Sequence, residues 1–359
     1  FASIIQYLMN NKLKNIFKIG KITIGDNFKP IIICEIGINH NGSLKIAKKM
    51  VDAAKKSGAE IIKHQTHIPD DEMSNEAKNI IPKHTKKSIF DIIKKCALNE
   101  KDELNLKKYV EKKGMIFIST PFSKKAVDRL VKFKVKAFKI GSGECNNIPL
   151  IEYICSKKKP IILSTGMNNL KQVKKTVKIL NNFKINYAIL HTTNLYPTPH
   201  KFVRLGAMED LMKNFPNTVC GLSDHTTDNF SSYFAIGKGA KIIEKHFTDS
   251  KKRNGPDISC SMDPIDLKNL LNACKLYHIM NNGKKTLLKE EKSTSNFAFA
   301  SVVAIKNIKK GTKLSKRNLW IKRPGNGDFK ASDLKKLYGK IAKKLIKSGD
   351  QIKKRNLLI

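Results

Sequence analysis

Lysine and short polar side chains interrupt several apolar runs of this sequence. Lys63 stands within EIIKHQT and Lys139 within AFKIGSG, so each ammonium group follows residues that favour a buried strand. Short polar side chains also stand at or just after the ends of apolar runs, and they are Thr120, Ser142, Ser164, Asn194 and Ser223. Two ammonium groups that share a cavity with hydroxyl donors would bind an anion, either a phosphate or a carboxylate.

Two histidines also stand at the ends of apolar runs, His225 in VCGLSDH and His246 in KIIEKH. Two imidazoles at one rim can bind one divalent ion and leave coordination positions for water and substrate oxygen. A structural zinc site normally has four protein ligands, so the pair indicates a catalytic Mn²⁺ or Mg²⁺. The alternative is that both histidines contact only hydrogen-bond partners.

The elements that must position these residues form a repeating pattern from Pro30 onward. Eight β-branched runs alternate with lysine-rich segments of helical period, and the runs are PIIICEIG, AEIIKHQT, MIFIST, AFKIGSG, PIILSTG, YAILHTTN, VCGLSD and KIIEKHFTD. One helical segment, SLKIAKKMVDAAKKSG, has apolar residues at helical spacing and ends in a glycine. Eight βα units in about 250 residues predict an α/β fold, a closed (β/α)₈ TIM barrel rather than an open sheet.

In such a barrel, alternate side chains of each strand point inward, and the carboxyl ends of all strands form one rim. Glu35 then points inward on the first strand, and Glu144 follows Ser142 in the loop after the fourth. His246 shares its side of the last strand with Glu244. Polar ends on all eight strands indicate a ligand site, because an inward ion is costly without a partner.

The pattern changes towards the C-terminus, which predicts two domains. Residues 1–283 are assigned to the barrel, together with an N-terminal hairpin, FKIGKITIGD, that would close its bottom. The polar stretch 284–296 is predicted to be a linker. Residues 297–359 contain short strands and turns without βα repeats, so they predict a small, mostly β domain.

The composition is strongly basic, with 70 Lys+Arg against 30 Asp+Glu and a net charge of +40, and a nucleic-acid or acidic-membrane partner is one interpretation. Lysine is spread through almost every polar segment with few interleaved aromatic residues, so we favour a general lysine enrichment without a nucleic-acid partner. No apolar run is long enough to span a bilayer, and FASIIQYLMNNKLKN predicts neither a signal peptide nor an anchor. Seven cysteines without a C-x-x-C pair predict a reduced, cytoplasmic protein without structural zinc.

Nine segments occur in a characteristic order along the chain: IIICEIGINHNGS, KHQTH, FISTPFS, KIGSGECNN, ILSTGMN, TNLYPTP, GLSDHT, EKHFTD and GPD. Together they resemble the bacterial N-acetylneuraminate (sialic acid) synthases, from about Phe17 to the C-terminus. The tail segments FAFASVVA and NLWIKRPGNGD resemble the small antifreeze-protein-like (SAF) domain of these synthases. The resemblance implies condensation of phosphoenolpyruvate with N-acetylmannosamine and water, giving N-acetylneuraminate and phosphate by C–O cleavage.

The resemblance also implies a role for each site residue. Phosphoenolpyruvate would be held by Lys63, Thr120, Lys139, Ser142, Ser164, Asn194 and Ser223, and Mn²⁺ or Mg²⁺ by His225 and His246. The sugar would contact Gln65, Tyr196, Asp257, Phe297 and Arg323, of which the last two reach from the partner subunit of a domain-swapped homodimer. Glu35 would stabilise the cationic centre at carbon 2 or help water to add there. Glu144 would position the sugar or relay protons.

Two other functions remain as alternatives. A synthase for N,N'-diacetyllegionaminate or pseudaminate shares the barrel, metal and phosphoenolpyruvate but takes a deoxygenated diacetamido sugar. A basic barrel without catalysis would hold polyanions, although the complete set of acidic, lysine and histidine residues argues against it. The loop NIIPKHTKKSIF is more basic than the family pattern at Lys83 and His84, which bears on the choice of sugar.

Overall fold

Eight parallel strands close into a barrel in the part of the chain that the computed structural model describes, residues 15–81 and 87–358. An antiparallel hairpin precedes them, formed by β1 (Ile16–Ile19) and β2 (Ile22–Gly25). The barrel strands are β3 (Ile31–Gly37), β4 (Ile61–Thr66), β5 (Ile116–Pro121), β6 (Phe138–Ile140), β7 (Ile161–Ser164), β8 (Tyr187–Thr192), β9 (Val219–Asp224) and β10 (Ile242–His246). Each strand pairs with the next along the chain, and β10 pairs with β3, which closes the barrel. The predicted (β/α)₈ barrel is confirmed.

Helices fill the connections between the strands and surround the barrel. They are α1 (Leu44–Ser57), α2 (Pro69–Glu72), α3 (Ile89–Cys96), α4 (Glu100–Lys112), α5 (Lys124–Lys132), α6 (Ile148–Ser156), α7 (Leu170–Asn182), α8 (Leu205–Asn214), α9 (Phe230–Gly237) and α10 (Pro264–Met280). Their apolar faces share one large core with the outward side chains of the strands, such as Ile62 and Phe117. The helix layer therefore fixes the strands from outside, while the inward residues remain available for a site.

The first helix shows how local sequence sets these elements. The Ser43 side chain accepts a hydrogen bond from the backbone N–H of Ile46 at 3.3 Å, which caps the start of α1. Gly58 ends the helix with φ of 104°, a left-handed conformation that glycine adopts without steric cost. The buried residues between these caps are Ala47, Met50, Val51 and Ala54, which recur every three or four residues as one face of a helix requires.

The hairpin closes the lower end of the barrel. Phe17, Ile19 and Ile24 are fully buried, and they form one apolar cluster with inward residues near the strand starts, such as Ile61 and Ile242. This cluster fills the lower half of the barrel with aliphatic side chains. The polar residues at the opposite ends of the strands therefore stand on a dry, rigid base.

The chain divides into two compact units, one up to Asn282 and one from Gly283. In the second unit, β11 (Ser301–Ala304) pairs antiparallel with β12 (Leu319–Lys322), and isolated bridges and turns complete a small apolar core. The stretch 284–296, predicted to be a linker, lies in this unit and contains most of α11 (Lys292–Ala298). The Lys83 and His84 loop and the first fourteen residues lie outside the described residues.

All seven cysteines are buried and free of disulfide bonds. Burial raises the pKa of the thiols, to about 11 for Cys145 and to about 12 for Cys220. Among the helices of residues 15–81 and 87–358, none is both long and apolar enough to cross a membrane.

Candidate active site

The register of four neighbouring strands brings acidic, basic and imidazole groups together at the carboxyl rim of the barrel. His246 on β10 pairs with Glu35 on β3, and Glu35 pairs with Lys63 on β4. On the other side of β10, Glu244 pairs with Ser223 of β9. All five side chains are buried. The strand ends therefore deliver opposite charges to one place, as the sequence pattern predicted.

Two lysines share the carboxylates of this cluster. Lys63 forms a direct ion pair with Glu35, and its Nζ lies 3.8 Å from Oε1 of Glu244. Lys139 Nζ lies 3.5 Å from the same Glu244 oxygen. Ser223 donates its hydroxyl hydrogen to that oxygen at 3.1 Å. Glu244 thus holds both ammonium groups at the centre of the barrel.

The pKa values of the two lysines shift in opposite directions, because burial and neighbouring charge have different weights at each. Burial lowers the pKa of Lys63, but the Glu244 and Glu35 carboxylates outweigh burial and raise it above its ordinary value. Burial dominates at Lys139 and lowers its pKa to about 8. Burial alone would raise the pKa of Glu244, but Lys139 and Lys63 hold it below its ordinary value. The cluster is therefore charged at neutral pH and carries one ammonium group close to its titration point.

Hydroxyl groups and a backbone amide surround the ammonium groups. Lys63 donates to Oγ1 of Thr120 at 3.2 Å, and Lys139 donates to Oγ of Ser164 at 2.7 Å. The backbone N–H of Gly166 donates to Oγ of Ser142 at 3.0 Å. These hydroxyl groups are held by their neighbours, so they can point donors at an anion without first being ordered.

A cavity of about 130 Å³ opens above this cluster. The residues that the family resemblance assigned to phosphoenolpyruvate all line it: Lys63, Thr120, Lys139, Ser142, Ser164, Asn194 and Ser223. Gln65 and Tyr196, assigned to the sugar, also line it. A small anion and part of a second molecule would share this space.

Two glycines lie where any larger residue would clash with polar side chains of the site. A Cβ on Gly166 would lie 1.8 Å from Oδ1 of Asn194 and 2.9 Å from Oγ of Ser142. Gly37 follows Glu35 at a register shift in β3 and has φ of 47°. A Cβ there would lie 2.8 Å from Oε1 of Glu35. Both positions need glycine because polar side chains of the site occupy the space beside them.

The two predicted metal ligands are adjacent, with ring centroids 5.5 Å apart. The Nδ1 atom of His225 lies 2.8 Å from the backbone oxygen of Thr193, to which it donates, so Nε2 keeps its lone pair. Burial lowers the pKa of His225 to about 4, and burial with the nearby His225 holds that of His246 well below its ordinary value. The ring of Tyr196 packs at 4.1 Å against His225. Both imidazoles are therefore neutral, which is the form that binds a metal.

The residues around this pair fit a divalent ion. Nδ1 of His246 is buried and takes part in no hydrogen bond with the described residues, and Oδ2 of Asp257 lies 3.5 Å from it. Within 15–81 and 87–358, no cluster of three or more His, Cys, Asp or Glu side chains could hold a metal. Two neutral imidazoles with few competing partners suit an ion that keeps most positions for water and substrate.

The remaining predicted residues have different positions. Asp257 lies beside His246, and burial, followed by the charge of Glu35, raises its pKa to about 7. Glu144 is half-buried, accepts a hydrogen bond from Asn147 and is not among the residues that line the cavity. Phe297 and Arg323 belong to the second unit.

Five residues that line the cavity received no role from the sequence: Phe122, Gly141, Gly143, Thr192 and Glu244. The inward position of Glu244 can be predicted from the sequence, because it stands two residues before His246 on one strand and must point the same way. Phe122 follows β5 in the loop and has no such periodic signal.

Comparison with known proteins gives two family matches. Residues 50–285 match the model of the NeuB family, and residues 299–358 match the model of the SAF domain.

Individual relatives cover most of the chain. The N,N'-diacetyllegionaminic acid synthase of Campylobacter jejuni is 39% identical over 90% of this chain and 99% of its own length. The pseudaminic acid synthase of the same species is 33% identical over 90% of this chain and 96% of its own. The solved structure of the N-acetylneuraminic acid synthetase of Leptospira borgpetersenii superposes with a TM-score of 0.71 and 28% identity, covering 78% of this chain and 96% of that one. These relatives are sugar acid synthases.

Proposed function

The chain belongs to the NeuB family, and from this premise we propose that it condenses phosphoenolpyruvate with an N-acylated amino sugar and water. With N-acetylmannosamine as the sugar, the products are N-acetylneuraminate and phosphate. One observation carries the proposal: two buried lysines and five buried serine or threonine hydroxyl groups line one cavity at the carboxyl rim, beside two neutral histidines.

The lysines and hydroxyl groups account for binding of phosphoenolpyruvate. Its phosphate and carboxylate need donors that stay in place while the phosphate leaves. Lys63 and Lys139 supply fixed positive charge, and Ser142, Ser164 and Ser223 supply hydroxyl hydrogens from three different strand ends. The anion would add negative charge beside two lysines that are otherwise paired with Glu35 and Glu244.

His225 and His246 would hold the divalent ion. When bound, Mn²⁺ or Mg²⁺ would supply a Lewis acid for the aldehyde oxygen of the open-chain sugar. The hydrogen bond from His225 Nδ1 to the Thr193 carbonyl leaves Nε2 as the ring nitrogen that would bind the ion. Tyr196 packs against both rings and keeps them in place.

The bond changes follow from the positions of the acidic residues. Carbon 3 of phosphoenolpyruvate attacks the aldehyde carbon of the sugar, which leaves positive charge at carbon 2. The Glu35 carboxylate, held by Lys63, stabilises that charge or accepts a proton from the water that adds there. The bond between carbon 2 and the phosphate oxygen then breaks, and phosphate leaves with its bonding electrons. Carbon 2 becomes a ketone as its new hydroxyl group loses its proton. Of the two protons that the water releases, one goes to the sugar oxygen that became an alkoxide on attack, and the other leaves with phosphate. Glu144 would act on the sugar side, where burial raises its pKa.

The sugar would contact Gln65, Tyr196 and Asp257 from the barrel. We also propose a domain-swapped homodimer in which Phe297 and Arg323 act on the barrel of a second copy. The test mixes Arg323→Ala with Lys139→Ala after subunit exchange. About a quarter of wild-type activity is expected, because half of the dimers are mixed and each has one intact site. No recovered activity would refute the swap.

The identity of the sugar is the open choice within this reaction. A synthase for N,N'-diacetyllegionaminate or pseudaminate is the second candidate, favoured by the relatives that are 39% and 33% identical. These enzymes would use the same anion and metal sites. A cytoplasmic location is proposed from the seven free thiols.

The deciding experiment measures phosphate release with phosphoenolpyruvate, Mn²⁺ and each of three sugars, with product masses recorded. The sugars are N-acetylmannosamine and the 2,4-diacetamido-trideoxy sugars of the legionaminate and pseudaminate routes. Turnover of the first supports a sialic acid synthase, and preference for another supports the second candidate.

Metal dependence is tested on the same assay. Chelation, or His246→Ala with the fold retained, should lower kcat by about 10²–10³-fold. Full activity in either case would refute the metal site. If no sugar is turned over and DNA binds in a salt-sensitive way below about micromolar Kd, a polyanion-binding barrel would replace the proposal.

A further inference from the structure

A buried acid–histidine pair, Glu72 and His67, lies at the edge of the cavity, and neither residue has a role in the reaction described above. Nδ1 of His67 lies 2.9 Å from Oε1 and 3.1 Å from Oε2 of Glu72. Both side chains are buried, with 4% and 7% of their side-chain surface exposed. A buried imidazole that faces a carboxylate has one ring nitrogen fixed as a donor.

The position of Glu72 is itself fixed by the chain around it. The backbone N–H of Ile68 donates to Oε2 of Glu72 at 3.3 Å, so the carboxylate caps the short α2 helix. The neighbouring Asp71 accepts a hydrogen bond from the backbone N–H of Lys125 at 3.0 Å, which ties α2 to the start of α5. Glu72 therefore presents its carboxylate to His67 from a fixed support.

The other side of the His67 ring faces residues that line the cavity. Nε2 of His67 lies 3.1 Å from the amide oxygen of Gln65, to which it donates when the ring carries a hydrogen on both nitrogens. The ring stacks on Phe122 with a centroid distance of 4.3 Å and an interplanar angle of 10°. Gln65 and Phe122 both line the cavity, so one imidazole supports two of its wall residues.

Among the described residues, the Gln65 amide has one hydrogen-bond partner, His67, which contacts its oxygen end. The Nε2 atom of Gln65 lies 3.3 Å from the point where a Cβ on Gly37 would stand, and Oε1 of Glu35 lies 2.8 Å from the same point. The free end of the amide is thus aimed at the part of the cavity next to Glu35. A flexible glutamine keeps such a direction only if its other end is hydrogen-bonded.

We propose that Glu72 and His67 are positioning residues that orient the Gln65 amide towards a hydroxyl or acetamido group of the acceptor sugar. Glu72 fixes His67, His67 fixes Gln65, and Gln65 contacts the sugar. This inference rests on the proposed function, because it assigns the sugar side of that cavity. It predicts a change in the KM for the sugar and none in the KM for phosphoenolpyruvate. Lys63 and Lys139, which would bind phosphoenolpyruvate, make their hydrogen bonds to other residues.

The test is a double-mutant cycle with Gln65→Ala, His67→Asn and the double variant. Asparagine keeps a donor near the position of Nδ1 and removes Nε2. We expect each single variant to raise the KM for the sugar about tenfold, with the KM for phosphoenolpyruvate within about twofold of wild type. The double variant should equal Gln65→Ala, because residues that act as one unit are non-additive. His67→Gln, which returns an amide near the position of Nε2, should recover most of the loss.

A surface pair provides the matched control. Nε2 of His200 lies 3.0 Å from Oδ2 of Asp228, and its side chain is 58% exposed. His200→Asn should leave both KM values and kcat unchanged. If His67→Asn does not fold, Glu72→Gln with and without Gln65→Ala completes the same cycle, with a smaller first effect because a glutamine oxygen still accepts from Nδ1.

The outcomes separate the inference from the proposed function. If the wild type is active and the double variant raises the KM for the sugar by the product of the two single effects, about a hundredfold, the inference is wrong. The proposed function is unaffected by that result. A parallel rise in the KM for phosphoenolpyruvate overturns the inference as well. A wild type that turns over none of the three sugars overturns the proposed function, and the inference falls with it.

Discussion

The substitution Gly166→Ala tests the site through a single methyl group. The added Cβ would lie 1.8 Å from Oδ1 of Asn194, whereas real Cβ atoms essentially never lie within 3.0 Å of such an atom. The Asn194 amide must therefore move by at least about 1.2 Å, the difference of these distances. Oγ of Ser142, 2.9 Å from the new Cβ, must move slightly as well. Both side chains line the proposed anion site.

The size of the effect follows from this displacement. A misplacement of about 1 Å at reacting groups can lower rates about 10²-fold, so kcat/KM for phosphoenolpyruvate should fall by that factor. Overpacking of this kind costs about 1–3 kcal/mol of unfolding free energy, less than the stability of a typical protein. We therefore expect a folded variant that fails at the anion site.

The assay is phosphate release at varied phosphoenolpyruvate with saturating sugar and metal, beside a circular dichroism spectrum. Gly206→Ala is the matched control, because a Cβ at Gly206 meets no described atom within 4 Å and Gly206 lies within α8. It should keep full activity. If kcat/KM of Gly166→Ala stays within about threefold of wild type, or if Gly206→Ala loses as much activity, the predicted steric displacement of Asn194 and Ser142 is wrong.

Three further substitutions test charge and stability. Lys139 must be protonated to hold an anion, and burial lowers its pKa to about 8, so kcat/KM for phosphoenolpyruvate should fall as pH rises above 8. Lys139→Arg, which keeps its charge, should move this alkaline limit to higher pH. Glu244→Gln removes the carboxylate 3.5 Å from Lys139 and should move the limit to lower pH. Glu103→Gln should lower the free energy of unfolding by about 3 kcal/mol in urea, because Glu103 is fully buried against His64 and Arg129.

The stability prediction also has a pH dependence with a definite sign. Burial raises the pKa of Glu103, but the hydrogen bond and charge of His64, with Thr66 and Arg129, hold it below the ordinary 4.5. Such a depressed pKa gives stability above about pH 4.5 that is lost as pH falls through the folded value. The Glu103→Gln variant should not show this loss of stability at low pH, because glutamine does not titrate.

Each of these predictions has a result that contradicts it. An alkaline limit that stays near pH 8 in Lys139→Arg would show that another group titrates there. A limit unchanged in Glu244→Gln would mean that this carboxylate does not support Lys139. For the stability prediction, Glu209→Gln is the control, because its pair with Lys238 is exposed and should change unfolding by less than about 0.5 kcal/mol. Equal effects of the two substitutions would refute the burial argument.

The sequence predicted the parts of the site that depend on strand periodicity. Lys63 and Gln65 stand two residues apart on β4, and both line the cavity as a period of two requires. His64, between them, points the other way into a buried network with Glu103 of α4. Nothing in the sequence joins residues 39 positions apart on different elements, so this network could not be predicted. The same holds for the contact of His67 with Phe122.

The seven buried thiols have a practical consequence for measuring the arrangement of the two units in solution. Thiolate is the form that reacts with maleimides and nitroxide reagents, and burial with raised pKa makes the native cysteines slow to react. A cysteine introduced at an exposed position of each unit, such as Lys252 and Lys316, would then react far faster than the native ones. Probe pairs for distance spectroscopy can therefore be attached to the otherwise wild-type chain, without first replacing any native cysteine.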